Sequence, residues 1–333
     1  MTAAHRSLAP GSARVVGLVL LLAGCGGGSP SAPPTPPPDP GFTVRAVVFY
    51  DENGSGALEG AEPVRIPDVE VTVAGRSGRT ATRTGEALVT GVPAGTFPLA
   101  VRSETLPPFF RAGPPASVTV PTAEGPATAL ALTLPIGNNQ PNVYMAFGDS
   151  QTAGDGLPAS AAWPARLQAL LEQHLGGAVV RNRGATGTNT FESLERLQRN
   201  LNGNEPAYTL ILYGINDWHD PLCKEQPDCH TVPNLRTVVQ RVEAFHSLPF
   251  VATLAPVNPA LNPAERNGWV AAVNERIRVM AREEGAFLVD LHRAFTRRGD
   301  IASLYLDHVH FNQAGHDLVA AAWFEAIAHG RSE

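Results

Sequence analysis

The chain has 333 residues, of which 43% are hydrophobic and 17% charged, and its net charge is −6. That is enough apolar sequence for two folded domains plus a tail, and it excludes global disorder. No basic block is present to build the positive stripe that nucleic acid requires, so nucleic acid is excluded as a partner.

The N-terminus reads as an export signal, residues 1–24. Arg6 and Arg14 precede an apolar run at 15–23 that is too short to span a bilayer comfortably. The run ends Leu22, Ala23, Gly24, Cys25, which resembles the lipobox of bacterial lipoproteins. The resemblance implies cleavage before Cys25 and a lipid on that cysteine. An ordinary signal peptide with an incidental cysteine is the alternative. The Gly- and Pro-rich stretch at 25–41 favours the lipoprotein reading, because its prolines make a stiff polyproline II tether. The expected location is an exported, membrane-anchored lipoprotein, with the inner membrane, outer membrane and cell surface all left open.

Residues 42–135 alternate short β-rich runs with Gly/Pro turns. Strands are predicted at 43–50, 69–73, 80–84, 87–90, 97–102, 116–120 and 127–134. That spacing predicts a small antiparallel β-sandwich. The turn Val92, Pro93, Ala94, Gly95, Thr96, Phe97 resembles one in the prealbumin-like sandwich modules of bacterial surface proteins. No nucleophile–base set stands out, so this part reads as a spacer or binding module.

One loop in it has its own chemistry. Asp51, Asn53, Ser55, Ala57 through its carbonyl, Glu59 and Glu62 fall at the ligand positions of a twelve-residue calcium loop, with Gly56 at its sharp turn. The flanks are strand-like, so the loop resembles those in B-type repeats of bacterial adhesins rather than a helix–loop–helix hand. An acidic hairpin that binds nothing is the equal alternative.

From residue 142 to 331 the pattern changes to βα repeats. Strands are predicted at 143–147, 178–181, 209–213, 250–254 and 287–290. Helices are predicted at 163–175, 191–201, 234–246, 263–284 and 312–328. Such alternation predicts a parallel sheet with helices on both faces, and functional residues just after the strands. Four segments stand there: Gly148-Asp149-Ser150 after the first strand, Gly184 after the second, Gly214-Ile215-Asn216-Asp217 after the third, and Asp307-His308-Val309-His310 before the last helix.

A serine hydroxyl is a poor nucleophile until a base takes its proton. Imidazole as a side-chain type titrates near neutral pH, which makes His310 the candidate base, and a carboxylate three residues earlier, Asp307, can hold its other nitrogen. The four segments in this order closely resemble the SGNH (GDSL-type) hydrolases, a flavodoxin-like family of esterases and acylhydrolases, over roughly 142–329. The resemblance implies Ser150 as nucleophile, His310 as base and Asp307 as its orienting acid. It implies an oxyanion hole of the Ser150 and Gly184 N–H groups and the Asn216 amide. It also implies an acyl-ester substrate and no cofactor for catalysis. Gln151 departs from the family motif, which has leucine there.

Competing readings exist. His308, His310 and His316 with Asp307 have spacing that zinc could use, but that would leave Ser150 and Asn216 unexplained. Asp149 and Asp217 read as loop-holding residues, and Asn312 as the N-cap of the last helix. Cys223 and Cys229 read as a loop-closing disulfide in an oxidising compartment, with a cysteine–histidine metal site through His219 or His230 as the alternative. Trp163 and Trp218 are either crevice-lining or core. A different class of function also fits: an inactive surface lipoprotein that binds glycans or protein partners. Oligomeric state is not legible.

Overall fold

A computed structural model describes residues 41–332. The signal peptide, Cys25 and almost all of the tether lie outside the described residues. The described N-terminal part contains β1 (Phe42–Tyr50), β2 (Glu70–Val73), β3 (Arg76–Arg79), β4 (Glu86–Val92), β5 (Gly95–Val101), β6 (Arg111–Ala112), β7 (Ala116–Val120) and β8 (Thr128–Thr133). They make two four-stranded sheets, ordered β4-β1-β8-β6 and β3-β2-β5-β7. Their pairings are antiparallel except that β1 and β8 run parallel.

The predicted strand at 80–84 is a turn, and the strand lies earlier, at β3. Ala74 and Gly75, both at positive φ, make the tight turn that brings β3 back onto β2. Thr80 then buries its hydroxyl as an acceptor for the Val69 N–H at 2.9 Å. The threonines there have strand propensity, but they serve the turn.

The second part begins with β9 (Gln140–Gly148), α1 (Ser150–Ala153), α2 (Trp163–Leu175), β10 (Val179–Gly184), α3 (Thr190–Asn204) and β11 (Pro206–Leu212). It continues with α4 (Pro221–Glu225), α5 (Thr231–Ala244), β12 (Leu248–Ala252), α6 (Ala264–Glu284), β13 (Phe287–Val289), α7 (Leu291–Thr296) and α8 (Gln313–His329). The strands form one parallel sheet ordered β10-β9-β11-β12-β13, the flavodoxin-like order. The strand order reverses at β9, so the crevice forms at the carboxyl ends of β9, β10 and β11.

Alternation along the strands sorts the core. Met145, Phe147, Ile211, Tyr213 and Val251 pack with Leu197, Leu235, Val239 and Val273 from α3, α5 and α6. Tyr144, Ala146, Leu210, Leu212 and Phe250 point the other way, onto Leu167 and Leu171 of α2 and Val319 and Trp323 of α8. This second cluster continues without a break into the sandwich through Tyr50, Val64, Ile66 and Leu132. Tyr144 stacks on Tyr208 at 4.4 Å, and Phe109 meets Phe250 edge-on at 5.5 Å. Backbone bonds from Arg65 and Arg83 to the carbonyls of Leu175 and His174 seal the same seam. Among the described residues no helix is long and apolar enough to cross a membrane.

Candidate active site

The serine turn is set by short-range sterics. β9 ends at Gly148, and Asp149 caps α1 by accepting the Gln151 N–H at 3.0 Å. Ser150 is the first residue of α1, so its N–H points out of a helix start that offers it no acceptor. Two glycines let this turn sit low in the sheet. A Cβ on Gly148 would lie 2.1 Å from the Thr152 hydroxyl, and one on Gly184 would lie 2.1 Å from the Ala153 nitrogen. Gly184 is therefore required by the turn pressing against it, a closer constraint than room for a substrate oxygen.

The loop before α8 brings the other two residues. Asp307 Oδ1 accepts the N–H groups of Val309 at 2.8 Å and His310 at 2.7 Å. Its Oδ2 accepts the His310 Nδ1–H at 2.7 Å. On the far side of the ring, His310 Nε2 lies 3.1 Å from Ser150 Oγ. Partial burial alone would raise the Asp307 pKa; the His310 and Val309 N–H groups and the His310 ring outweigh it and hold the pKa down at about 2. Asp307 is therefore a fixed anion beside the imidazole at any ordinary pH. Asn258 and Asn262 brace the loop by donating to the carbonyls of Asp307 and His308 at 3.0 and 2.6 Å.

Gln151 joins the two halves. It is buried, and its amide donates to the Val309 carbonyl at 3.0 Å. Its sequence position gave only a departure from the family motif; the bond across the fold supplies its role.

The three oxyanion candidates stand on adjacent strand ends. Gly184 is in register with Gly148, and Asn216 lies in the short turn Ile215–His219 that follows β11. Two of them are engaged within the protein. The Gly184 N–H donates to Asn182 Oδ1 at 2.9 Å, and Asn216 Nδ2 donates to the Thr188 carbonyl at 2.9 Å. An amide nitrogen carries two hydrogens, so Asn216 keeps one for another acceptor.

Buried acids frame the crevice. Burial, then the charge of Asp217, pushes the Asp149 pKa up to about 7 against the Gln151 N–H that lowers it. Asp217 is also raised, by burial, and accepts from the Thr190 N–H and hydroxyl at 2.9 and 2.7 Å. Arg196 binds three strand ends at once: the carbonyls of Gly148 at 3.3 Å and Arg183 at 2.7 Å, and the Tyr213 hydroxyl.

The remaining sequence candidates fall elsewhere. His316 is buried, and its Nδ1 accepts the Trp163 N–H at 3.2 Å; burial lowers its pKa to about 4. That position removes it from a zinc cluster with His310. His308 is half exposed, its ring 6.2 Å from that of His310. Trp163 stacks on Trp323, and Trp218 packs on Trp269, so both are core. Cys223 and Cys229 form a disulfide, which closes the loop after Asn216 and withdraws both sulfurs from metal binding. In the acidic loop, Asp51 accepts the Ser55 and Gly56 N–H groups, and Glu62 accepts those of Glu52 and Glu59. Asn53 donates to Glu59 at 2.9 Å, and the Ser55 hydroxyl to the Ala57 carbonyl at 3.2 Å. These bonds tie the loop's side chains to its own backbone and to one another.

Known proteins resemble parts of this chain. The model of the GDSL-like lipase/acylhydrolase family matches residues 146–318. The chain is 33% identical over 110 residues to the thioesterase 1/protease 1/lysophospholipase L1 of Escherichia coli strain K12, covering 33% of this chain and 50% of that protein. It thus spans about half the length of the curated relatives it matches. The crystal structure of an acetylxylan esterase from Geobacillus stearothermophilus overlays with a TM-score of 0.50 at 21% identity, over 58% of this chain and 96% of that one. At that identity the likeness concerns the fold. Because the family match runs from within β9 to within α8, across every strand end that carries a candidate residue, the chain belongs to the GDSL-like lipase/acylhydrolase family.

Proposed function

We propose that the protein hydrolyses acyl esters through an acyl-Ser150 intermediate. The observation that carries this reading is the unbroken hydrogen-bonded line from Asp307 through His310 to Ser150, at 2.7 and 3.1 Å. In the reaction Ser150 Oγ attacks the ester carbonyl carbon while its proton passes to His310 Nε2. Asp307 stabilises the imidazolium that forms. The oxyanion takes hydrogen bonds from the Ser150 N–H and the second Asn216 hydrogen, with the Gly184 N–H joining once it leaves Asn182. His310 then gives its proton to the departing alcohol as the carbon–oxygen bond breaks. Water repeats the sequence on the acyl-serine and releases the acid. No metal or cofactor enters these steps.

Short acyl or acetyl esters, including those on glycans, are the proposed substrates. The names of the relatives span thioester, lysophospholipid and acetylated xylan chemistry, so acyl length is the variable to measure. The test is p-nitrophenyl acetate turnover by the purified chain beside Ser150→Ala, followed by longer acyl chains and acetylated glycans. A drop for Ser150→Ala to about the level left by binding and the oxyanion hole alone is expected, a loss on the order of 10⁶-fold. Equal rates would replace this reading with a binding lipoprotein on an inactive hydrolase fold.

We also propose export and membrane attachment through a lipid on Cys25, supported by the sequence around it. Cys25→Ala should move the protein from the membrane fraction to the soluble one. Calcium in the Asp51–Glu62 loop is proposed as structural only. Titration with calcium that gives neither heat nor a higher Tm removes it.

A further inference from the structure

Far from Ser150 in the fold, the seam between sandwich and sheet gathers a second set of chemically active side chains. Asp68 comes from the connection into β2, His174 from the last turn of α2, and His329 from the end of α8. One carboxylate oxygen and one ring nitrogen from each histidine lie within 4.8 Å of one another. His329 Nε2 is 3.5 Å from Asp68 Oδ2.

Two further observations set this group apart from an ordinary surface cluster. His174 is only 8% exposed, and its Nε2 is buried without a hydrogen-bond partner. A buried ring nitrogen left unpaired loses its hydration without compensation, so it needs a reason. His329 is held the way metal-bound histidines are held: its Nδ1 bonds Glu325 Oε2 at 3.1 Å, which fixes the ring and turns Nε2 toward Asp68. Glu325 also accepts a hydrogen bond from Arg331 at 3.1 Å.

We propose that His174, His329 and Asp68 bind a divalent transition metal of the zinc class, with Glu325 as the outer carboxylate that orients His329. Two imidazoles and a carboxylate suit borderline zinc better than calcium or magnesium, which prefer oxygen alone. Tetrahedral zinc needs its ligands about 3.3 Å apart, so the set must close by at most about 1.5 Å, within the reach of side-chain rotation. Asp68 and His329 also line a cleft of about 360 Å³, together with Arg79, Glu104, Thr105 and Arg331, from which water could supply a fourth ligand. His174 and His329 also pack edge-on against Phe324 and each other, at 5.1 to 5.5 Å. That packing explains their burial and leaves the orphaned nitrogen unexplained. Because Asp68 belongs to the sandwich and both histidines to the α/β layer, the bound metal is a clasp across the seam. The site is independent of ester hydrolysis.

The test is calorimetric titration of the chelator-treated full chain with Zn²⁺, alongside Tm and the visible spectrum with Co²⁺. One equivalent of metal, a Tm that rises with zinc, and the absorption of tetrahedral cobalt are expected. Glu325→Gln should weaken binding about 10- to 100-fold, and Asp68→Asn or His329→Gln by more. Asp68 is half exposed, so Asp68→Asn keeps the fold even where substitutions at buried His174 do not, and circular dichroism verifies this. No heat of binding in the parent chain overturns the proposal. So does a folded Asp68→Asn/His329→Gln double variant that binds zinc with unchanged stoichiometry and affinity, since the metal then sits elsewhere.

Discussion

The Gln151 amide reaches a carbonyl 158 residues away, next to the imidazole that faces Ser150. That bond fixes how far the serine turn stands from the histidine loop. Gln151→Leu would restore the family's usual residue and leave the Val309 carbonyl unpaired. It should lower kcat about 10- to 100-fold with little change in KM, because a shift of about 1 Å in reacting groups is enough for that. Steady-state kinetics on short nitrophenyl esters measure it. Asp149 gives a second residue-scale prediction. Folded, it holds a proton up to about pH 7; its ordinary value is 3.8. Between those values unfolding releases a proton, so this residue makes the chain less stable as pH rises from about 4 to about 7, and the effect levels off above that. Asn at this position keeps the cap on Gln151 and removes the ionisation. The gain in urea midpoint of Asp149→Asn over the parent should therefore grow from pH 5 to pH 8. Asp307 has the opposite sign. Its pKa is depressed to about 2, so its contribution is present above about pH 4 and lost only as pH falls through about 2.

At the scale of elements, one arginine organises the crevice. Arg196 of α3 ties the carboxyl end of β9, the end of β10 and the Tyr213 hydroxyl just past β11, and lies 5.3 Å over the Phe147 ring. These are the strand ends that carry Ser150, Gly184 and Asn216. Arg196→Met keeps the length of the side chain and loses the donors. It should cost about 1–3 kcal/mol in urea unfolding, since the carbonyls of Gly148 and Arg183 lose these donors. Activity should fall further than stability alone explains, measured at a temperature where the variant is fully folded. The Cys223–Cys229 disulfide acts nearby, closing the chain that follows Asn216 within a sequence separation of 6.

At the scale of the whole molecule, the sandwich completes the core of the α/β layer. Two long helices, α2 and α8, lie on one face of a five-stranded sheet; α3, α5 and α6 cover the other. The uncovered part of the first face, around Tyr144, Tyr208 and Phe250, is met by Phe109 and the Tyr50–Phe110 pair of the sandwich. A chain starting at residue 138 would turn these aromatics to water. It should be insoluble or aggregate on gel filtration, and a soluble monomer with full activity would show that the sheet closes its own face.

Much of this was legible from the residues. Parallel strands buried on both faces read as apolar runs, and the βα alternation that surrounds them placed each strand within a few residues. Ser150, Gly184, Asn216 and the Asp307–His310 pair were legible because each follows a strand or precedes a helix, and the chemistry of their side chains is fixed by type. The Asp307–His310 bond is also local, needing only a tight turn. What pattern cannot carry is contact between distant segments. The Gln151–Val309 bond, the three strand ends held by Arg196, the glycine contact of Gly184 with Ala153 and the meeting of Asp68 with His174 and His329 all depend on which faces the tertiary fold presses together. Periodicity says which side of a strand or helix is apolar. Only packing decides what that side meets.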